Sequence, residues 1–175
     1  MTNPIVLESI VANGGWCELH YPKNKSLAES LYARLVLVMP DFLLLEKFDL
    51  ASDKLSGHLA VLTNTRQRLK KANFVKQILK IGGKSLPDQR FSVFQNIDSL
   101  QNLFKIIQER KEPVLINQFN KSDLATILSS DSQKIICLPF NSNDLATSFE
   151  VQLTEISSLE MQTVDLLTKI TQIGG

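Results

Sequence analysis

Val114-Leu-Ile-Asn-Gln-Phe-Asn-Lys-Ser-Asp-Leu-Ala-Thr126 returns 21 residues further on as Ile135-Ile-Cys-Leu-Pro-Phe-Asn-Ser-Asn-Asp-Leu-Ala-Thr147. In each copy an apolar run of strand length ends in Phe-Asn, and Asp-Leu-Ala-Thr follows. The residues fit one capping scheme. Asn120 and Asn141 stand as N-caps, Asp123 and Asp144 at N3, and Phe119 and Phe140 are stapled to Leu124 and Leu145. The repeat therefore predicts a strand feeding a helix, twice. Helix-start chemistry accounts for all of it, so it specifies architecture and no activity.

Upstream, residues 91–95 read as a strand, and Asp98-Ser-Leu-Gln101 caps a helix over 98–110 through Leu100, Leu103, Phe104 and Ile107. With strands at 114–117 and 135–138 and a helix at 121–129, the order becomes β-α-β-α-β. Right-handed crossovers turn that order into a parallel sheet. Downstream, Phe149, Val151 and Leu153 alternate with polar residues, which favours a strand at 149–156 over a continued helix. Ser157-Ser-Leu-Glu160 forms a capping box, and a helix through Leu159, Leu166, Leu167 and Ile170 is expected after it.

In the first half, 5–12 and 16–21 are β-rich runs separated by Asn13-Gly14-Gly15. Asn-Gly supplies the positive φ angles of a tight hairpin turn, so an N-terminal β-hairpin is expected. Ser26-Leu-Ala-Glu29 is a capping box that opens a helix through Leu27, Leu31, Arg34, Leu35 and Val38, ended by Pro40. Residues 42–48 alternate as a strand. From Ser52 the leucine spacing (Leu55, Leu59, Leu62, Leu69) continues through Ala72, Val75 and Leu79 and turns helical, as one long helix or two with a kink at Asn64, ended by Gly82-Gly83. Altogether the sequence predicts one α/β domain over 1–175. It has a mixed sheet, a parallel C-terminal half and the N-terminal hairpin.

Composition narrows the class. The chain has 175 residues and 43% hydrophobic content, enough for one sizeable core. The longest apolar stretch, 35–45, is broken by Pro40 and Asp41 and falls short of the ~20 residues that span a bilayer, so no membrane insertion is expected. Met-Thr-Asn-Pro lacks the pattern of a secretory signal, which predicts a cytoplasmic chain. Cys17 and Cys137 read as buried free thiols. They have no Cys-x-x-Cys or His cluster, so neither metal nor cofactor is expected.

Several motifs resemble known chemistry and fail on context. Gly83-Lys84-Ser85 ends like a phosphate-binding loop, but Ile78 stands where the loop requires Gly, and a basic helix precedes it instead of a strand. Pro40-Asp41 with Glu109-Arg110-Lys111 has the residue types of a metal-dependent nuclease, yet Glu109 falls at an expected helix end. His20 and His58 lie in different elements with no nucleophile in a recognisable turn near either. Trp16 reads as a packing residue of the hairpin. Cys137-Leu-Pro-Phe followed by Asn-Asp-Leu resembles the last strand and helix of response-regulator receiver domains. Leu138 replaces the receiver lysine and no early acidic pair is present, so the resemblance implies at most a receiver without phosphorylation chemistry.

The charge is uneven although the net value is +1. Residues 1–53 hold 4 basic and 7 acidic side chains, 54–111 hold 12 and 3, and 112–175 hold 3 and 8. Lys54, Arg66, Arg68, Lys70, Lys71, Lys76, Lys80 and Lys84 occur with no acid between Asp53 and Asp88. Of these, Arg66, Arg68, Lys70, Lys71, Lys76, Lys80 and Lys84 are the candidate anion- or partner-binding residues, expected on one basic helix. The competing reading pairs them with Glu155, Glu160 and Asp165. A second candidate is the rim of strand ends, Gln95, Asn96, Asn117, Gln118, Asn120, Asn141 and Ser142, which offers hydrogen bonds but no acid, base or nucleophile. The expected role is a non-catalytic binding or regulatory module of adaptor type with a protein partner. Sequence-indifferent nucleic-acid binding is the first alternative. A small-molecule enzyme using the strand ends is the second.

Overall fold

The computed structural model describes residues 4–12, 14–22, 28–49, 54–62, 68–72, 96–162 and 164–174, apart from the side chains at 28, 29, 54, 164, 165 and 174. Ten strands form one antiparallel sheet. They are β1 (Trp16–Pro22), β2 (Ala28–Val38), β3 (Phe42–Asp49), β4 (Lys54–Leu62), β5 (Arg68–Lys71), β6 (Val114–Gln118), β7 (Ser122–Ser130), β8 (Lys134–Pro139), β9 (Phe149–Gln152) and β10 (Ile156–Met161). Among the described residues three α-helices accompany them: α1 (Pro4–Ala12), α2 (Leu100–Arg110) and α3 (Val164–Gly174). The order across the sheet is β5-β1-β2-β3-β4-β10-β6-β7-β8-β9.

This order contains a duplication. α1 with β1–β5 and α2 with β6–β10 are each a helix followed by five strands in which the fifth strand pairs with the first, giving the order 5-1-2-3-4. The two units join head to tail through β4 and β10, with Val61 opposite Ser158 and Leu59 opposite Glu160. Because that joint is antiparallel and the strand order is kept, equivalent faces of the units lie on opposite sides of the sheet. α1 accordingly places Ile10, with Val6 and Leu7, over Cys17, Leu19, Leu31 and Ala33 on one side. On the other side α2 packs Leu100, Leu103, Phe104 and Ile107 over Val114, Ile116, Ala125 and Ile127.

Each unit is curled. The hydroxyls of Tyr21 on β1 and Ser158 on β10 lie 3.4 Å apart, although four strand spacings would separate these strands by about 19 Å in a flat sheet. In the second unit only Leu153–Glu155, a single 3-10 turn, links β9 to β10 at the opposite edge. That link can reach at most about 15 Å, so the unit bends its edges toward each other.

The parallel β-α-β-α-β half expected from the repeat is not formed. The apolar runs at 114–117 and 135–138 are strands, but neither is followed by an α-helix. Asn120 sits in the tight link between β6 and β7, where Gln118 N–H donates to Lys121 O at 2.8 Å, and Asn141 adopts φ +62°. Asn serves reversals as well as caps, because its short side chain tolerates left-handed backbone. Asp-Leu-Ala-Thr at 123–126 continues as strand, and at 144–147 it makes a 3-10 turn in which Asp144 accepts from Ala146 N–H. The expected strand at 91–95 lies outside the described residues.

Four further expectations are corrected. The hairpin at 5–12 and 16–21 is a helix followed by a strand: Gly14 and Gly15, at φ +73° and +83°, end α1 by donating to Val11 O and Ile10 O. The helix expected from Ser26 to Val38 is β2, whose leucines fit a period of two as well as 3.6, with Leu31, Ala33 and Leu35 on one face. The basic helix expected from Ser52 is strand at 54–62 and again at 68–71. β4 buries both faces, Leu59 and Val61 to one core and Ala60 and Leu62 to the other, which erases the alternation that would have identified it. The capping box at 157–160 lies inside β10, where all six residues are buried. A last helix does form, but it begins at Val164.

Strand 42–48 and helix 98–110 correspond to β3 and α2. Ser99 caps α2 by accepting from Asn102 N–H at 3.1 Å, and Lys111 ends it at φ +53°. Residues 149–156 divide between β9 and the 3-10 turn before β10 begins at Ile156.

Candidate functional site: the basic edge of the sheet

β5 is the outermost strand of the first unit, paired only to β1 among the described residues, with Leu69 opposite Leu19 and Lys70 opposite Glu18. Leu69 is buried in the α1 side of the core and anchors the strand. Arg68, Lys70 and Lys71 are exposed. Strand alternation places Arg68 and Lys70 on one face and Lys71 on the other. No carboxylate among the described residues is within ion-pair distance of these three cations. Glu18 already faces His20, whose Nε2 is 2.8 Å away without hydrogen-bond alignment, and it accepts from Ser30 Oγ at 3.3 Å.

Of the acids named in the competing reading, neither Glu155 nor Glu160 pairs with β5. Glu160 is buried in β10 and accepts from Asn117 Nδ2 at 3.1 Å, and Glu155 is exposed in the 3-10 turn. The Asp165 side chain lies outside the described residues. Arg66, Lys76, Lys80 and Lys84 also lie outside them, as does Gly83-Lys84-Ser85. Comparisons with protein-family models, with curated proteins and with solved structures found no match.

Two polar clusters lie elsewhere in the sheet. On the α2 side, Arg34 donates to Glu46 at 2.9 Å, and His58 Nε2 lies 3.9 Å from the other Glu46 oxygen. Burial, with Arg110 and Arg34 nearby, drives His58 down to about 4, so it is neutral near pH 7 and the 3.9 Å approach is not an ion pair there. On the other face of the joint, Asn117 Nδ2 also donates to Ser158 Oγ at 3.0 Å, Ser122 Oγ donates to Asn117 Oδ1 at 2.7 Å, and Ser157 Oγ donates to the Asn117 carbonyl at 3.0 Å. Asn117, Ser157, Ser158 and Glu160 are all fully buried. These groups bind one another within the second unit, where β10 pairs with β6, and sequence spacing carries no signal for them because β6 and β10 lie some forty residues apart.

The rim of amides is dispersed. Asn117 is interior, Gln118 donates to Asp123 Oδ2 at 2.7 Å, and Asn120, Asn141 and Ser142 lie in turns on antiparallel strands, so they do not line one end of a parallel sheet. Gln95 lies outside the described residues, and Asn96 is exposed. Asp41 is exposed in the β2–β3 turn, and Glu109, also exposed, lies 4.0 Å from Lys105 on α2. Among the described residues no three His, Cys, Asp or Glu side chains are grouped to hold a metal ion. Trp16 is buried edge-on against Phe48, with ring centroids 5.5 Å apart. Cys17 and Cys137 are buried free thiols. Burial pushes both up to about 12, with Asp123 adding to the effect at Cys137. No helix among the described residues is long and apolar enough to cross a membrane.

Proposed function

We propose that this protein is a non-catalytic binding module whose basic sheet edge engages an anionic partner. The observation that carries the reading is the trio Arg68, Lys70 and Lys71, exposed on an outer strand with no carboxylate among the described residues to neutralise them. Cations left unpaired at a surface attract polyanions, and the attraction weakens as salt screens it. A protein with an acidic surface or segment is the partner we favour, because the cations divide between two faces of one strand. A duplex presents its phosphates to a single face of its partner.

The test uses the full chain and two labelled probes, polyglutamate and duplex DNA, read by fluorescence anisotropy from ~50 mM salt upward. Polyglutamate should bind at low salt, and the Arg68→Glu, Lys70→Glu, Lys71→Glu variant should lose that binding. Absence of binding by wild type at the lowest salt overturns the proposal. DNA binding alone, with a log–log salt slope of roughly 0.9 per phosphate neutralised, would replace it with the nucleic-acid reading.

A further inference from the structure

We infer that β5 receives an extended acidic segment of a partner protein as an added antiparallel strand. The inference rests on the reading of the basic edge proposed above and specifies how that edge is used. Its warrant is the duplication. β5 and β10 are counterparts, each the fifth strand of its unit and each antiparallel to the first strand. In β10 the outer edge is occupied, because β4 pairs with it in antiparallel register from Val61–Ser158 to His58–Met161. The same edge of β5 has no strand on it among the described residues. Among the described residues the molecule thus contains one filled and one open copy of the same docking position.

The side chains state what the guest should look like. Arg68 and Lys70 call for acids two residues apart on one face, while Lys71 shares the other face with Leu69. Leu69, between them, is covered by α1. That helix packs against β5 on the Leu69 face and exposes Ile5 and Val11, 72% and 66% accessible, so exposed apolar residues lie on that side of the sheet. A segment that alternates acidic and apolar residues satisfies both, with main-chain hydrogen bonds supplying affinity and alternate side chains supplying choice. Lysine-rich edges also discourage strands of unselected sequence from pairing, so the same charges that repel a generic or basic strand admit an acidic one.

The experiment uses the full chain and a short fluorescent peptide alternating Glu and Val. A second peptide of identical sequence is N-methylated at alternate residues, so that it keeps its charge but cannot complete a ladder. The unmethylated peptide should bind and slow amide hydrogen exchange within residues 68–71. N-methylation should weaken binding by at least about tenfold, as expected from losing two or so hydrogen bonds. Equal binding of both peptides, or unchanged exchange in β5, overturns strand addition while leaving a charge-based site in place. Unchanged peptide binding by the Arg68→Gln, Lys70→Gln, Lys71→Gln variant, shown folded by Trp16 fluorescence, overturns the basic edge as the site.

Discussion

His58 couples the stability of this fold to pH. Its folded-state value is about 4 against an ordinary 6.5, and its side chain is only 19% exposed between β3 and the end of α2. Between those two values the unfolded chain binds a proton that the native protein refuses, so stability rises with pH across the window and is flat above it. By linkage, the loss of stability from pH 7.5 to pH 5 should amount to about 2 kcal/mol from this residue alone, approaching roughly 3 kcal/mol by pH 4. Glu46 opposes the effect by attracting the imidazolium, but Arg34 already holds one of its oxygens, and Arg110 adds repulsion. Urea unfolding followed by Trp16 fluorescence, at pH 7.5 and pH 5, measures the change. His58→Gln cannot titrate, so subtracting its pH dependence removes the contribution of the carboxylates. Equal loss of stability by the two proteins on acidification, or a gain by wild type as pH falls toward 5, would contradict this linkage.

Three further outcomes are expected. Gly57→Ala should destabilise by more than about 3 kcal/mol in chemical denaturation, because Gly57 holds φ +63° at the β3–β4 bulge and a Cβ there would overlap the Gln162 backbone and the Met161 carbonyl oxygen. Asn117→Leu should cost about 3 kcal/mol or more, since Glu160, Ser158 and Ser122 each lose a buried partner, whereas Ser122→Ala at the rim of the same network should cost about 1 kcal/mol. Both thiols should react with an aromatic disulfide reagent only at the rate of unfolding, as followed by thiolate release in native buffer and in urea.

What could be read from the chain depends on whether an element's pattern fits one structure or two. α2 and β3 were legible: α2 has one apolar stripe with a serine cap, and β3 is an uninterrupted β-forming run closed by Asp49. β4 and β10 were not, because strands inside a sheet covered on both sides lose their alternation. In β10 the pattern Ser-Ser-Leu-Glu then mimics a cap, although Ser158 and Glu160 are interior groups satisfied by Asn117. The glycine pair after α1 and the asparagines at 120 and 141 were located correctly as punctuation and assigned to the wrong elements, since positive φ ends a helix and turns a chain equally well. The apparent repeat at 114–147 does not map onto the duplication that organises the sheet, which is carried by strand order and not by similar residues. Of the candidate site, Arg68, Lys70 and Lys71 were legible as a charge cluster, but their place on an edge strand was not, because β5 shows only one buried residue between exposed cations.

The β4–β10 joint also fixes the order in which the chain can mature. β4 leaves the ribosome early, yet its central partner is separated from it by roughly a hundred residues of later synthesis, a contact of high order that is slow to close. Until residues 156–161 emerge, the nascent first unit presents an apolar strand with one row of backbone groups unanswered, the kind of surface that invites promiscuous pairing. A protein truncated before Ile156 would keep that vulnerability permanently, so chaperone engagement during translation should be concentrated between the completion of β4 and the arrival of β10.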